Sequence, residues 1–295
     1  MNKLKYWFLA ARPWSFAMSA ISVTVGAVLA SFIGHLSVFL YLLTVAGIVF
    51  IHAGGNLLND YFDVTGGIDT LQAGTARYRP HPLLEGKLTP AAVRNAACAF
   101  LAAGCIFGIA LTVICGWPVF VIGVLGAFGA VAYTAPQVGY KYIAFGELGV
   151  FLIWGPLMVG GAYFVQTGRL EMKPVLVSLP LGILVAQTLL ANNMRDIEHD
   201  TGRGVKTLAA LLGETASLKL YLLLMVFAYA AVVIMVFPGP LNKWSLLVFL
   251  SVPLASRLLR EMRRGVPEDA DARTANLNIV FGLLLVISLI LETAL

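Results

Sequence analysis

Residues 37–63 read SVFLYLLTVAGIVFIHAGGNLLNDYFD. An almost wholly apolar run, 37–57, gives way to amides and carboxylates: Asn56, Asn59, Asp60 and Asp63. Roughly 20 such residues cross a hydrocarbon core as a helix. The stretch therefore predicts a membrane span that delivers polar chemistry to one edge of the bilayer. Backbone inside lipid must satisfy its own hydrogen bonds, which leaves helices as the element for such spans.

The pattern returns further along the chain. Residues 191–200 read ANNMRDIEHD, again at the end of an apolar run. If each helix continues through its motif, Asn56, Asp60 and Asp63 share one face, and so do Asn192, Asp196 and Asp200, because residues three and four apart are neighbours. Carboxylates stacked this closely raise one another's pKa, a cost that a divalent cation removes. The expected metal set is Asp60, Asp63, Asp196 and Asp200, supported by Asn56 and Asn192, with Asn59 and Asn193 beside them. Oxygen donors suit Mg²⁺, which takes few protein carboxylates and completes its shell with water and phosphate oxygens. His199 falls off this face and reads as a surface residue.

The rest of the chain fits a polytopic membrane protein. Of 295 residues, 59% are hydrophobic and 12% charged, against roughly 25% charged in soluble domains. Nine spans are predicted, at 14–33, 37–57, 91–114, 117–134, 145–165, 174–194, 217–237, 242–258 and 275–293. The first follows Lys3, Lys5 and Arg12 and reads as a retained helix, not a cleaved signal. The polar segments on one side hold all of the 20 Lys and Arg except Arg169, Lys173 and Lys243. By the positive-inside rule, the N-terminus and the long loops are expected in the cytoplasm and the C-terminus outside the cell (inner) membrane. That topology accounts for the net charge of +5, and no nucleic-acid partner is implied. Cys98, Cys105 and Cys115 lack metal or redox spacing and are expected to be small buried packing residues.

Outer connections are short and inner ones long, so the bundle works at one mouth. Residues 1–295 read as a single domain with a weak internal repeat, its motif segments at 56–69 and 192–206. Parallel repeats place equivalent loops on one face. Around the mouth lie Arg77, Arg79, Lys87, Lys141, Arg195, Arg203 and Lys206. Such side chains suit phosphate oxygens, although the positive-inside rule also fills these loops with base. Tyr133 ends the fourth span as a headgroup anchor or a cavity wall, and Glu147 begins the fifth as an intramembrane ionisable group. A transporter would hold its carboxylates near mid-membrane on broken helices; here they stand at span ends. A phosphatidyl-transferring enzyme would gather them in one stretch.

With these residues in view, the chain resembles the UbiA superfamily of intramembrane aromatic prenyltransferases, the MenA type (1,4-dihydroxy-2-naphthoate polyprenyltransferase) above all. The resemblance rests on Ala11-Arg12-Pro13, Asn-Asp-Tyr-Phe-Asp at 59–63 with Asp69, Tyr-Thr-Ala-Pro at 133–136, Gly146-Glu147, Asn-Asn-Met-Arg-Asp-Ile-Glu-His-Asp at 192–200 and Lys206-Thr207-Leu208-Ala209. Residues 77–83 fit the wider superfamily better than the MenA type. The resemblance implies an all-α bundle of nine transmembrane helices around a central cavity, capped by two long cytosolic loops. It implies Mg²⁺ bridging the Asp motifs to a polyprenyl diphosphate, an aromatic quinone precursor as acceptor, and a side opening to membrane lipid for the prenyl tail. In the MenA type the acceptor carboxylate leaves as carbon dioxide; 4-hydroxybenzoate, another quinone precursor or a glycerol-phosphate lipid are the alternative acceptors. Arg77, Arg195 and Lys206 are expected on the diphosphate. Asp69, Tyr133 and Lys141 are expected to position the acceptor or the developing cation.

Overall fold

The computed structural model describes residues 3–294. Among these the chain is helical throughout, with a single isolated bridge between Ile143 and Lys206 as its only β pairing. In chain order the helices are α1 (Lys3–Ala11), α2 (Phe16–Ser31), α3 (Val38–Thr65), α4 (Gly74–Tyr78), α5 (Pro90–Cys115), α6 (Trp117–Ala132), α7 (Gly146–Leu152), α8 (Met158–Thr167), α9 (Met172–Arg195), α10 (Ile197–Gly202), α11 (Leu208–Val236), α12 (Val252–Arg264) and α13 (Ala270–Ala294). A 3-10 turn, Pro13–Ser15, precedes α2. A π turn, Ile153–Leu157, joins α7 to α8, and a 3-10 segment, Lys243–Ser251, leads into α12.

Local chemistry sets the helix starts. The hydroxyls of Ser37, Thr89 and Thr207 accept from the amides of Leu40, Ala92 and Ala210. Each satisfies a donor that the first helical turn leaves free. Pro90 at the start of α5 loses nothing, because its missing N–H would have had no helical partner.

Helices α3 and α5 pack closely because glycine lets their backbones approach. A Cβ on Gly54 would stand 2.7 Å from Leu101 Cγ, and one on Gly104 would stand 2.6 Å from Ile51 Cγ1. The main core lies around α9, where Val177, Leu181, Leu184 and Leu190 meet Tyr221 of α11 and Phe281 and Leu285 of α13. The outward faces are apolar too, with Val113, Trp117 and Phe237 exposed. In water such a surface would aggregate; against lipid it is the ordinary outer face of a bundle.

Seven helices or helix pairs of the described residues are long and apolar enough to cross a membrane, and the shorter apolar α6 stands beside them. The segment expected as an eighth span, 242–258, is not one helix. It divides at Pro253, in the first turn of α12, whose ring removes an N–H and ends the 3-10 segment. The cysteines also depart from expectation. Helix α5 buries Val93, Ala97, Gly104 and Leu111, so Cys98 and Cys105 fall on its exposed side, and Cys115 is half-buried.

Candidate active site

Helix α3 continues about two turns beyond residue 57, so Asn56, Asn59, Asp60 and Asp63 do share a helical run. The chain then turns at Gly66 and at Gly67, whose φ of 71° suits glycine. The amides of Ile68 and Asp69 both donate to the Asp63 carbonyl, at 2.8 and 2.9 Å, which folds Asp69 back over the helix end. The Asp63 carboxylate is buried, and a buried charge must be paired. It accepts from Lys141 Nζ at 2.6 Å, from Asn59 Nδ2 at 2.7 Å and from the Tyr142 hydroxyl. Burial opposes the charge on Lys141, yet Asp63, Tyr133 and Asp69 outweigh it and hold the ammonium well above its ordinary pKa. Asp69 is pushed up by burial and by Asp63.

Asp60 takes a different position. It is buried against Arg12, with His81 Nε2 at 3.7 Å, and the same His81 nitrogen lies 3.9 Å from Asp69. Arg12, not Asp60, lines the cavity. Asn56, unlike Asp60, lines the cavity, and its Nδ2 donates to the Ala11 carbonyl and to Ser15 Oγ.

The second motif is not one continuous helix. Helix α9 stops at Arg195, Asp196 leaves helical geometry at φ −99°, ψ 8°, and α10 restarts behind it. At the break, Asp196 is held by its neighbour Arg195. Arg195 donates to Asp196 Oδ2 at 2.6 Å, Asn192 Oδ1 at 2.9 Å, Asp271 Oδ1 at 2.8 Å and Thr75 Oγ1 at 2.7 Å. Its guanidinium is thus spent inside the protein, tying α9, α13 and α4 together. Gly74 makes room for it, since a Cβ there would meet Arg195 Cδ at 2.9 Å. Asp200 accepts from the Thr207 hydroxyl at 3.2 Å. Burial pushes its carboxyl up to about 6, with Lys141 pulling the other way.

The two motif loops meet. His199, expected at the surface, is half-buried with Nε2 2.8 Å from the Ile68 carbonyl, and Arg203 donates to the Gly67 carbonyl at 3.0 Å. Asp63, Asp69, Asp196 and Asp200 consequently line one cavity of ≈ 640 Å³. Its mouth also carries Asn59, Asn192, Asn193, Tyr133, Lys141, Arg12 and Arg79. Away from the mouth it continues as an apolar arm between α3, α5 and α6, past Ile48, Gly108, Gly126 and Val119.

The candidate cations sort by position. Lys141 faces the cavity. Arg77 and Lys206 are exposed and lie off its wall. Arg79 stands where Arg77 was expected: it lines the cavity, lies 5.4 Å from the Trp14 ring and has no carboxylate partner among the described residues. Burial, and then Arg12, lower its pKa to about 10, so it stays charged at neutral pH. Two residues apart on the short α4 region, Arg77 and Arg79 face differently, and nothing in the sequence distinguished them. Tyr133 packs edge-on against Tyr140 at 5.3 Å. Asn193 is held by buried Glu147, donating to Oε1 at 2.9 Å. Arg12 and Asp271 were missed as site residues because each reaches the mouth from a distant segment, and Tyr142, beside Lys141, because its role is to hold Asp63.

No three His, Cys, Asp or Glu side chains form a ready metal cage among the described residues. The two motifs nonetheless bring carboxylate and amide oxygens to the mouth, the set that suits Mg²⁺ when phosphate oxygens complete the shell. The residues present fit that ion together with a phosphorylated ligand.

The model of the UbiA prenyltransferase family matches residues 19–285. UbiA prenyltransferase domain-containing protein 1 of Xenopus tropicalis is 32% identical over 297 residues, covering 99% of this chain and 84% of the relative. The 1,4-dihydroxy-2-naphthoate octaprenyltransferase of Bacillus subtilis (strain 168) is 31% identical over 288 residues, covering 95% and 91%. Among solved structures, a UbiA homolog from Aeropyrum pernix K1 shares the fold with a TM-score of 0.72 at 19% identity, over 94% of this chain and 97% of that one. One from Archaeoglobus fulgidus, bound to GPP and Mg²⁺, does so at 0.64 and 15% identity, over 96% and 99%.

Proposed function

The chain belongs to the UbiA prenyltransferase family, and we propose that it transfers a polyprenyl group from an isoprenyl diphosphate to 1,4-dihydroxy-2-naphthoate, with loss of the acceptor carboxylate, in menaquinone biosynthesis. The observation that carries this reading is the composition of the cavity, where both acidic motifs share a mouth with Lys141, Arg12 and Arg79, the last unpaired among the described residues, and open into an apolar arm. A polyprenyl diphosphate has the same division, a polyanionic head on an apolar tail. The relative that names this acceptor supports the choice of ring.

In this reading Asp63, Asp69, Asp196 and Asp200 would hold Mg²⁺, which would supply Lewis-acid charge to a departing diphosphate. Asp60 acts from behind, by fixing Arg12. Lys141, Arg79 and Arg12 meet the charge that develops as the allylic C–O bond breaks and its electron pair leaves with the diphosphate. Arg195 orients Asp196, and Asn193, held by Glu147, completes the wall. Tyr133 and the apolar lining keep water from the allylic cation. A ring carbon attacks that cation, and loss of carbon dioxide from the acceptor carboxylate returns an electron pair to the ring. Charge balances without an oxidant.

The clustering of base on the mouth side supports a cell-membrane protein with the N-terminus and the mouth in the cytoplasm and the C-terminus outside. Carboxylates at helix ends, with a cavity built for a diphosphate, favour transfer over transport. The test is purified protein supplied with Mg²⁺, a polyprenyl diphosphate and a panel of acceptors. Carbon dioxide release with the naphthoate is the expected result. Transfer only to 4-hydroxybenzoate or a glycerol-phosphate lipid would reassign the acceptor.

A further inference from the structure

Deeper than the mouth, the cavity has a polar corner where the start of α2, α3 and the π turn meet. His52 lies one turn, about 6 Å, further into the membrane than Asn56 on α3. Its ring meets the Trp154 indole at 5.2 Å between centroids and 82° between planes, and both rings line the cavity half-exposed to it. None of the diphosphate chemistry above uses either residue.

The hydrogen bonds around them fix every proton. Ser15 Oγ donates to the Arg12 carbonyl at 2.8 Å, so it meets His52 Nε2, 3.1 Å away, as an acceptor. Nε2 therefore carries the ring proton. Nδ1 is then an acceptor, served by the Ser19 hydroxyl at 2.8 Å, and Ser19 Oγ in turn accepts the Trp154 N–H at 3.1 Å. Asn56 spends both amide hydrogens, on the Ala11 carbonyl at 3.0 Å and on Ser15 at 3.2 Å. The donors of this network are exhausted. What it leaves for a ligand is acceptor capacity: Asn56 Oδ1 has no partner among the described residues, and Asn56 lines the cavity.

A second feature points the same way. Trp154 sits in the π turn Ile153–Leu157, which contains Pro156. Such turns insert one extra residue, re-aim the side chains and recur at functional sites. Gly155 lets this turn press on α9, where its Cβ would stand 3.3 Å from Gly182 Cα. The fold thus accepts an irregular turn at a depth where backbone irregularity is costly, and the turn presents an indole to the cavity.

We propose that the His52–Trp154 corner is the subsite for a hydroxylated aromatic acid: the flat ring packs in the angle between the two rings and a ring hydroxyl donates to Asn56 Oδ1. This inference rests on the aromatic prenyl-transfer reading above. The acceptor carboxylate has no donor in the corner, so it turns toward Lys141 and Arg79 at the mouth, while the prenyl tail occupies the arm along α5 and α6. A hydrogen bond from the hydroxyl also raises the electron density of the ring that must attack.

The test is steady-state transfer by Trp154→Leu, Trp154→Phe and His52→Ala, each first checked for a monodisperse profile in detergent. The acceptor KM is expected to rise at least tenfold in Trp154→Leu and His52→Ala and less in Trp154→Phe, which keeps a ring, while the KM for polyprenyl diphosphate stays at the wild-type value. The O-methyl ether of the acceptor is expected to compete at least tenfold more weakly than the parent. Trp154→Phe and the ether keep the test available if the larger truncations do not fold. An unchanged acceptor KM beside normal wild-type transfer, a shift in the diphosphate KM alone, or equal competition by the ether would overturn the subsite while leaving the reaction assigned. Failure of the wild type to prenylate any hydroxylated aromatic would overturn the reaction and the subsite together.

Discussion

Lys141 Nζ lies 2.6 Å from Asp63 Oδ2, 78 residues away in sequence, and this contact fastens the loop between α6 and α7 to the end of α3. Asp63 retains Asn59 and Tyr142 as donors when the lysine is removed, so the mouth keeps its shape. Lys141→Met should therefore act mainly on chemistry, lowering kcat/KM for the diphosphate by on the order of 100-fold, as loss of one oxyanion donor does elsewhere. Lys141→Arg should keep part of the activity. Rates measured at varied polyprenyl diphosphate decide this.

Asp196 and Asp60 should fail for different reasons. Asp196→Ala is expected to abolish transfer in a protein that still purifies folded, because Arg195 keeps Asp271, Asn192 and Thr75. Asp60→Ala leaves half-buried Arg12 without its carboxylate, and removing one partner of a largely desolvated pair is expected to cost up to about 3 kcal/mol. Thermal unfolding in detergent should show a clear loss for Asp60→Ala and little for Asp196→Ala. Full activity of either variant at saturating Mg²⁺ would refute the role given to it.

Arg79 and Arg77 form an internal control. Arg79→Ala is expected to raise the KM for the diphosphate by roughly tenfold or more, the loss of one charge-assisted contact, and Arg77→Ala to leave it unchanged. Equal effects of the two substitutions would count against the mouth geometry described here.

Asp200 sets activity against stability in metal-free protein. Its carboxyl keeps a proton up to about pH 6 in the folded chain, against an ordinary value of 3.8. The folded state therefore binds the proton more tightly than the unfolded one. The resulting stability is present in full below about pH 4 and lost as the pH rises through 6. Asp200→Asn, which removes the ionisation, should raise the unfolding temperature at pH 7 in EDTA while abolishing transfer. A lower unfolding temperature in that variant would contradict the burial argument.

Sequence alone conveyed the helices and the first motif well, because apolar length and i, i+3, i+4 spacing are local signals. It did not show that α3 extends through Thr65, since hydropathy stops reporting once Asn59 and Asp60 appear. The break at Asp196 was also hidden. The Arg195 contacts beside it join partners 76 and 120 residues away, Asp271 and Thr75, which no local pattern reports. The same holds for Asp60, whose spacing marks it as a ligand while Arg12, 48 residues earlier, draws it behind the cavity wall. Cys98 was misread because a helix facing lipid gives its buried and exposed sides the same hydrophobicity, and Cys105 because it lines the cavity.

Gly108, Gly123 and Gly126 line the apolar arm, and a Cβ added to the first two would meet no atom within 4 Å, while at Gly126 it would touch only Leu157 at 3.9 Å. Larger residues there would displace only hydrocarbon, leaving helix contacts intact. The bore of the arm can thus be narrowed one notch at a time without disturbing the scaffold, and in the prenyl-transfer reading each notch would shorten the tail that fits.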